Sequence, residues 1–244
     1  YEVWYNRICK YIKNEERFYM IIPMPIEIKN LGATVGRTEL EVDLVQELLQ
    51  RSENLHKRAN ESLAGKIEDE KHYEEESRIY FEKKLLPYAV NFYNECKKDK
   101  GHFGISKHFH RAQWKLDSLW VNRQKPGEYN PPHEHSGNIS FVIYLQIPSA
   151  MYEEINHTSS APPGYISFRY GSDTRMYPSG RNPSERSIIS ELEDPLRPTV
   201  RLELCPRVGE MYIFPSFLTH SVEAFYSPGT RISVSGNFCL ELKN

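Results

Sequence analysis

Apolar residues recur along the chain at two different spacings, and the change comes near residue 110. Before it the spacing is helical. Leu40, Leu44 and Leu48, with Val45 and Leu49 one position on, form a single stripe, and Thr38-Glu39-Leu40-Glu41 has the form of a capping box. A helix ending near Ser52 is predicted. Residues 53–76 are strongly polar and predict a solvated linker or an exposed helix. Phe81, Leu85, Ala89, Phe92 and Cys96 mark a second helix over 77–98, which Pro87 should kink or divide. Upstream of both, residues 18–28 read as a strand. Pro23 and Pro25 confine it to a sheet edge or strand end, because proline has no N–H to give a ladder.

After residue 110 the spacing shortens to that of strands. Residues 114–122 are β-rich and are closed by the turn residues Lys125-Pro126-Gly127. Further strands are predicted from about 139 to 147 and over 164–170, 199–204, 209–214, 220–225 and 231–238. Between them, residues 171–198 are rich in Ser, Arg and Pro without periodicity. Long loops of this kind inside compact domains are commonly lids or binding loops. The predicted fold is mainly β with an α-helical N-terminal part: an antiparallel barrel or jelly roll over 110–244, with residues 1–109 packed against it.

Composition narrows the class without changing the fold. Of 244 residues, 39% are hydrophobic and 26% charged, the balance of a soluble globular protein. The formal net charge of -2 gives no reason to expect nucleic acid or an anionic membrane as partner. No apolar run is long enough to span a bilayer, and the opening residues show no signal-peptide pattern. The first residue, Tyr1, is not an initiator Met and is not expected to be the native start. Cys9, Cys96, Cys205 and Cys239 are scattered with no C-x-x-C pair, which fits free thiols and a cytoplasmic location.

The candidate chemistry begins at Pro131-Pro132-His133-Glu134-His135. On an extended backbone, residues two apart share a face, so both imidazoles can reach one atom. His220 follows another apolar run and supplies a third imidazole. Three neutral histidines converging within a sheet would form a metal site. Eleven residues after His220 comes Arg231-Ile232-Ser233-Val234-Ser235-Gly236-Asn237, in which polar and apolar positions alternate. A hairpin through Ser227-Pro228-Gly229 would bring Arg231 beside the strand bearing His220. Arginine suits a carboxylate, which it can grip by two parallel hydrogen bonds. A metal beside a carboxylate clamp describes a site for a chelating dicarboxylic acid.

These residues resemble the iron(II)- and 2-oxoglutarate-dependent oxygenases, whose pattern is H-x-D/E, a distal His, and an Arg or Lys about ten residues later. Within them the chain is similar to oxygenases of marine cyanobacterial phages and related bacteria. The shared stretches are Pro23-Met24-Pro25, a helical Leu63-Ala64-Gly65-Lys66-Ile67, Trp120-Val121-Asn122, and Phe214 to His220 followed by Arg231 to Asn237. The resemblance implies a double-stranded β-helix (jelly roll) and a dioxygenase using Fe(II), O2 and 2-oxoglutarate. It implies His133, His135 and His220 as metal ligands, with Arg231 and Ser233 on the 5-carboxylate of the cosubstrate. Tyr144 and Asn122 are further candidates for that carboxylate.

One departure stands out: the position of the family's carboxylate ligand is His135. Glu134 should face the opposite side of the strand. Three arrangements stay open: all three histidines bind metal; His135 binds first and Gly137 takes the carboxylate position; or His133 and His220 bind with His135 beside them. A cupin-type or zinc-dependent enzyme on the same barrel is the alternative, since Gly127-x5-His133-x-His135 and Gly209-x5-Pro215 followed by His220 resemble a cupin motif. Ile139 and Ser140 stand where a cupin needs Glu. A barrel without metal, acting as a phage structural or interaction protein, is the non-enzymatic alternative. The prime substrate, protein or small molecule, is not readable; a hydroxylated peptidyl side chain such as proline is the expectation. Arg175, Arg181, Arg186 and Arg197 in the long loop would favour an acidic peptide or a phosphorylated molecule.

Overall fold

A computed structural model describes residues 33–60, 63–99, 112–155, 162–170 and 201–243. The predicted strand over 18–28 and the loop over 171–198 lie outside them.

Among the described residues, ten strands form two facing antiparallel sheets. The larger holds β1 (Gly36–Glu39), β2 (Asp69–His72), β3 (Ala112–Gln124), β5 (Ile139–Gln146), β8 (Glu210–Pro215) and β10 (Arg231–Leu242) in the order β1-β8-β5-β10-β3-β2. The smaller holds β4 (Asn130–His133), β6 (Ile166–Arg169), β7 (Arg201–Leu204) and β9 (Thr219–Val222) in the order β4-β9-β6-β7. This is the jelly roll. Helices α1 (Val42–Ser52) and α2 (Glu75–Asp99) cover the outer face of the larger sheet, and α3 (Ser149–Ile155) follows β5.

The central strand β5 explains the layering. It is apolar at almost every position because both of its faces are covered. Phe141, Ile143 and Leu145 join the core beneath the helices, where Leu48, Phe81, Leu85 and Val234 are also fully buried. Val142 and Tyr144 point the other way, into a second core with Ile166, Phe168, Tyr212 and Phe214 between the sheets. Each such burial is worth roughly 1.5–3 kcal/mol before entropy is counted. The alternation along β10 has the same cause: Ile232, Val234 and Phe238 face the helices, which leaves Arg231, Ser233, Ser235 and Asn237 to the interior between the sheets.

Several local expectations are corrected. Thr38 caps no helix. It lies in β1 opposite Met211, and α1 starts at Val42 without a side-chain cap. The polar stretch 53–76 contains β2, an edge strand paired with β3. Leu63-Ala64-Gly65 is irregular rather than helical, and Lys66 bridges to Tyr129. Pro87 neither divides α2 nor ends it. The strand at β7 is exposed along most of its length, since it is the last strand of its sheet. Cys205 and Cys239 are free thiols, as expected. Among the described residues no helix is long and apolar enough to cross a membrane.

Candidate active site

The cavity between the sheets is about 550 Å³, its mouth included. His133, at the end of β4, and His220, on β9, are direct partners in the antiparallel ladder, with ring centroids 4.3 Å apart. His135 lies two residues beyond His133, its backbone N–H bonded to the Ser216 carbonyl at 3.0 Å. Its ring is 4.8 Å from that of His133 and 5.0 Å from that of His220. One nitrogen from each of the three lies within 4.8 Å of the others.

Two of these rings have their orientation set by the backbone. His133 Nδ1–H donates to the Pro131 carbonyl at 2.7 Å, and His220 Nδ1–H to the Leu218 carbonyl at 2.9 Å. Both bonds require the proton on Nδ1, which leaves the Nε2 lone pair free for a metal. Burial holds all three neutral: it lowers His133 below the ordinary range, His135 to about 4 and His220 to about 3, and charge repulsion from His133 adds to the last two. A donor set of neutral imidazoles suits Fe(II) or zinc. The residues present fit the metal that the fold implies.

Glu134 turns outward, as expected, where it accepts a hydrogen bond from Thr219 Oγ1 at 2.8 Å. Gly137 does not face the cavity. A side chain there would meet the Phe238 carbonyl at 3.2 Å and Cys239 Sγ at 3.3 Å, at a backbone φ of +105° that favours glycine. Trp120 packs against His135 at 5.5 Å, and Phe214 against His220 at 4.7 Å.

Along the cavity from the histidines lies Arg231, 2% exposed. It donates one bond, from Nη1 to the Gly164 carbonyl at 2.8 Å; its Nε–H has no partner among the described residues. Tyr144, fully buried, lies 5.7 Å from the guanidinium, and its hydroxyl is also unpartnered there. Ser233 sits opposite Tyr144 in the β5–β10 ladder and opposite Asn122 in the β3–β10 ladder. Asn122 gives its amide N–H to Ser235 Oγ at 3.3 Å and leaves Oδ1 free. Burial lowers the Arg231 pKa and raises that of Tyr144, and each offsets part of the other's shift.

All seven residues singled out in the sequence, Asn122, His133, His135, Tyr144, His220, Arg231 and Ser233, line this one cavity. Leu63, Ala64, Ile67, Glu70 and Asn130 line it too and were missed. The Leu-Ala-Gly stretch carried a signal, but for a helix; Glu70 carried none, lying in a charge run that reads as solvated.

Residues 118–237 match the family model described as "Putative 2OG-Fe(II) oxygenase". This segment, just under half of the chain, is that of a 2OG-Fe(II) oxygenase. The match runs from β3 to β10 and takes in all seven residues above. No curated protein sequence matches the chain. Solved 2OG-Fe(II) oxygenases similar to it include an oxidoreductase of this family from Burkholderia pseudomallei, with 11% identity, 84% of each chain covered and a TM-score of 0.49. A Pseudomonas putida prolyl-4-hydroxylase is 14% identical, with 84% of this chain and 91% of the other covered and a TM-score of 0.43. HygX from Streptomyces hygroscopicus, crystallised with nickel and 2-oxoglutarate, is 12% identical, with 85% and 83% covered and a TM-score of 0.48.

Proposed function

We propose that this oxygenase is a hydroxylase whose iron(II) is held by His133, His135 and His220, and whose substrate is a peptidyl side chain, proline being the first to test. The convergence of three imidazoles, His220 buried and His133 and His135 half-buried, on one point carries the reading. Gly137, turned away against β10, supports the three-histidine set over one in which that position is left open. Arg231, Tyr144 and Ser233 would hold the 5-carboxylate of 2-oxoglutarate. When bound, the metal and cosubstrate supply the oxidising chemistry, consuming O2 and releasing succinate and CO2.

The chain's own contribution is orientation, charge and exclusion of water. The Nδ1–H bonds of His133 and His220 fix the tautomers and aim the rings. Arg231, tethered to the Gly164 carbonyl, keeps donors facing the cavity where a dicarboxylate can take them. Val142, Ile166 and Phe214 make the walls apolar, which strengthens each charged contact inside. Three neutral ligands leave a divalent ion its full charge, one more than a two-histidine, one-carboxylate set would, so an anionic cosubstrate is attracted more strongly.

The test is calorimetry of 2-oxoglutarate with the Mn(II)-loaded protein, followed by succinate formation with Fe(II) and O2 on proline-containing peptides. Binding that Arg231→Ala weakens by about 10-fold or more supports the reading. Tight zinc binding without affinity for 2-oxoglutarate overturns it in favour of a hydrolytic zinc enzyme, which three histidines also suit.

A further inference from the structure

Glu70 is a carboxylate in an unusual place. It lies on the edge strand β2, 1% exposed, and lines the same cavity as the histidines. Asn60 Nδ2 donates to its Oε2 at 3.3 Å; Oε1 has no partner among the described residues. The backbone leaves room for that oxygen. A Cβ at Gly65 would lie 2.7 Å from Glu70 Oε1, so any side chain there would press on it.

The sheet register places Glu70 relative to the rest of the site. Glu70 pairs with Asn122, Asn122 with Ser233, and Ser233 with Tyr144, a single row across β2, β3, β10 and β5. Directly paired residues share a face, so all four side chains point into the space between the sheets. With strands about 4.8 Å apart, Glu70 and Tyr144 stand roughly 14 Å apart. The two ends differ in kind. Arg231 and Tyr144 offer unpartnered donors at one. At the other, Glu70 Oε1, Asn122 Oδ1 and Asn130 Oδ1 are acceptors, all buried and unpartnered among the described residues. Asn130 is brought there by the Lys66–Tyr129 bridge, which draws the 63–67 segment against the start of β4.

We propose that this acceptor end binds a protonated amine of the prime substrate, with Glu70 as its counter-ion and Asn122 and Asn130 accepting further N–H bonds. An ammonium offers three donors and no acceptor, which matches three acceptors at a buried wall. It also supplies the charge that an ionised carboxylate needs to remain buried. A hydroxyl would meet only part of that demand, and a carboxylate would be repelled. Asn122, its donor already on Ser235, belongs to this end rather than to the cosubstrate's carboxylate. The inference rests on the oxygenase reading for the location of the reacting carbon, between the two ends and beside the histidines. The hydroxylated side chain therefore carries, or closely neighbours, an amine.

The full chain, loaded with Mn(II) and 2-oxoglutarate under argon, is titrated with n-pentylammonium, 1-pentanol and pentanoate by ligand-observed NMR. The ammonium should bind at least ten-fold more tightly than the alcohol, and pentanoate should not bind at this end. Glu70→Gln should weaken the ammonium ten-fold or more while 2-oxoglutarate affinity stays within two-fold. Gly65→Ala, which crowds Oε1 from outside, should give the same pattern, as a second variant independent of Glu70. Equal binding of ammonium and alcohol, preference for pentanoate, or ammonium affinity unchanged in both variants overturns the proposal. Failure of the wild type to bind 2-oxoglutarate overturns the oxygenase reading instead, and the amine preference is then read on the Mn(II) protein alone.

Discussion

His133 and His220 stand directly opposite each other in the β4–β9 ladder, so the backbone pairing itself holds two of the three imidazoles 4.3 Å apart. His135 is placed by a different contact, its N–H on the Ser216 carbonyl. Replacing either kind of ligand should be felt at the metal. His220→Ala and His135→Ala are each expected to lower Fe(II) or Mn(II) affinity by on the order of 100-fold or more, above the loss usual for residues that only support a ligand. His135→Asp should keep the metal but weaken 2-oxoglutarate through its added negative charge. Metal titration of the three variants checks this; full affinity in His135→Ala would remove His135 from the ligand set.

Metal-free protein should lose stability in acid through these same groups. Their pKa values are lower in the folded chain than in the unfolded one, so below about pH 6.5 the unfolded state takes up more protons. Stability contributed by neutral His135 and His220 is complete above pH 6.5 and falls as pH drops toward 4 and then 3. Each histidine contributes a slope of up to about 1.4 kcal/mol per pH unit. Urea unfolding between pH 7 and pH 4 measures it, and replacing His220 by Asn should flatten the curve.

Glu70 acts in the opposite sense. Burial, with the nearby Glu128 charge, pushes its carboxyl up to about 7, above its unfolded value. Its contribution is therefore complete below about pH 4.5 and is lost as pH rises through 7. Glu70→Gln should stabilise the ligand-free protein by on the order of 2–3 kcal/mol at pH 8 and by little at pH 4.5. Thermal melts at the two pH values test the difference.

Arg231→Ala should leave metal affinity intact and weaken 2-oxoglutarate by about 10- to 100-fold, the loss of one or two charged hydrogen bonds. Arg231→Lys should recover only part, because a single ammonium cannot reproduce the fork. Calorimetry on the Mn(II)-loaded variants separates the two.

Gly236 is required by packing alone. A Cβ there would come within 2.6 Å of the Phe141 ring and 2.7 Å of the Ser118 carbonyl, and the carbonyl cannot turn aside. Gly236→Ala is expected to cost about 1–3 kcal/mol, seen as a lower urea midpoint. Gly236→Ala combined with Phe141→Leu should recover little, since the backbone clash persists.

Residues near one another in sequence, or on strands with a strong apolar pattern, could be read without coordinates. His133 and His135 are only two positions apart, at and just past the end of β4, and the polar face of β10 follows from alternation about Ile232 and Val234. Edge strands could not. Gly36–Glu39 and Asp69–His72 have no apolar pattern of their own and become strands only because β8 and β3 offer them a ladder. Glu70 is buried for the same reason: its register against Asn122, fifty-two positions away (122 minus 70), decides which way it points. Local composition says only that it is charged. Thr38 misled in a similar way, since a capping box and a strand ending in polar residues share the same letters.

The segment that matches the family, residues 118–237, carries the histidines and Arg231 but not β2. On the assignments proposed here, oxidation and substrate choice are thus carried on separate stretches of chain. Within the sheet β2 pairs only with β3, its other edge meeting Lys57, Arg58 and Ala59, so residues 63–72 can be recoded while the ladders among the other strands stay as they are, provided the Lys66–Tyr129 bridge is kept. Grafting that segment between relatives would be the economical way to redirect such an enzyme to a new substrate while leaving its oxidising machinery as it is.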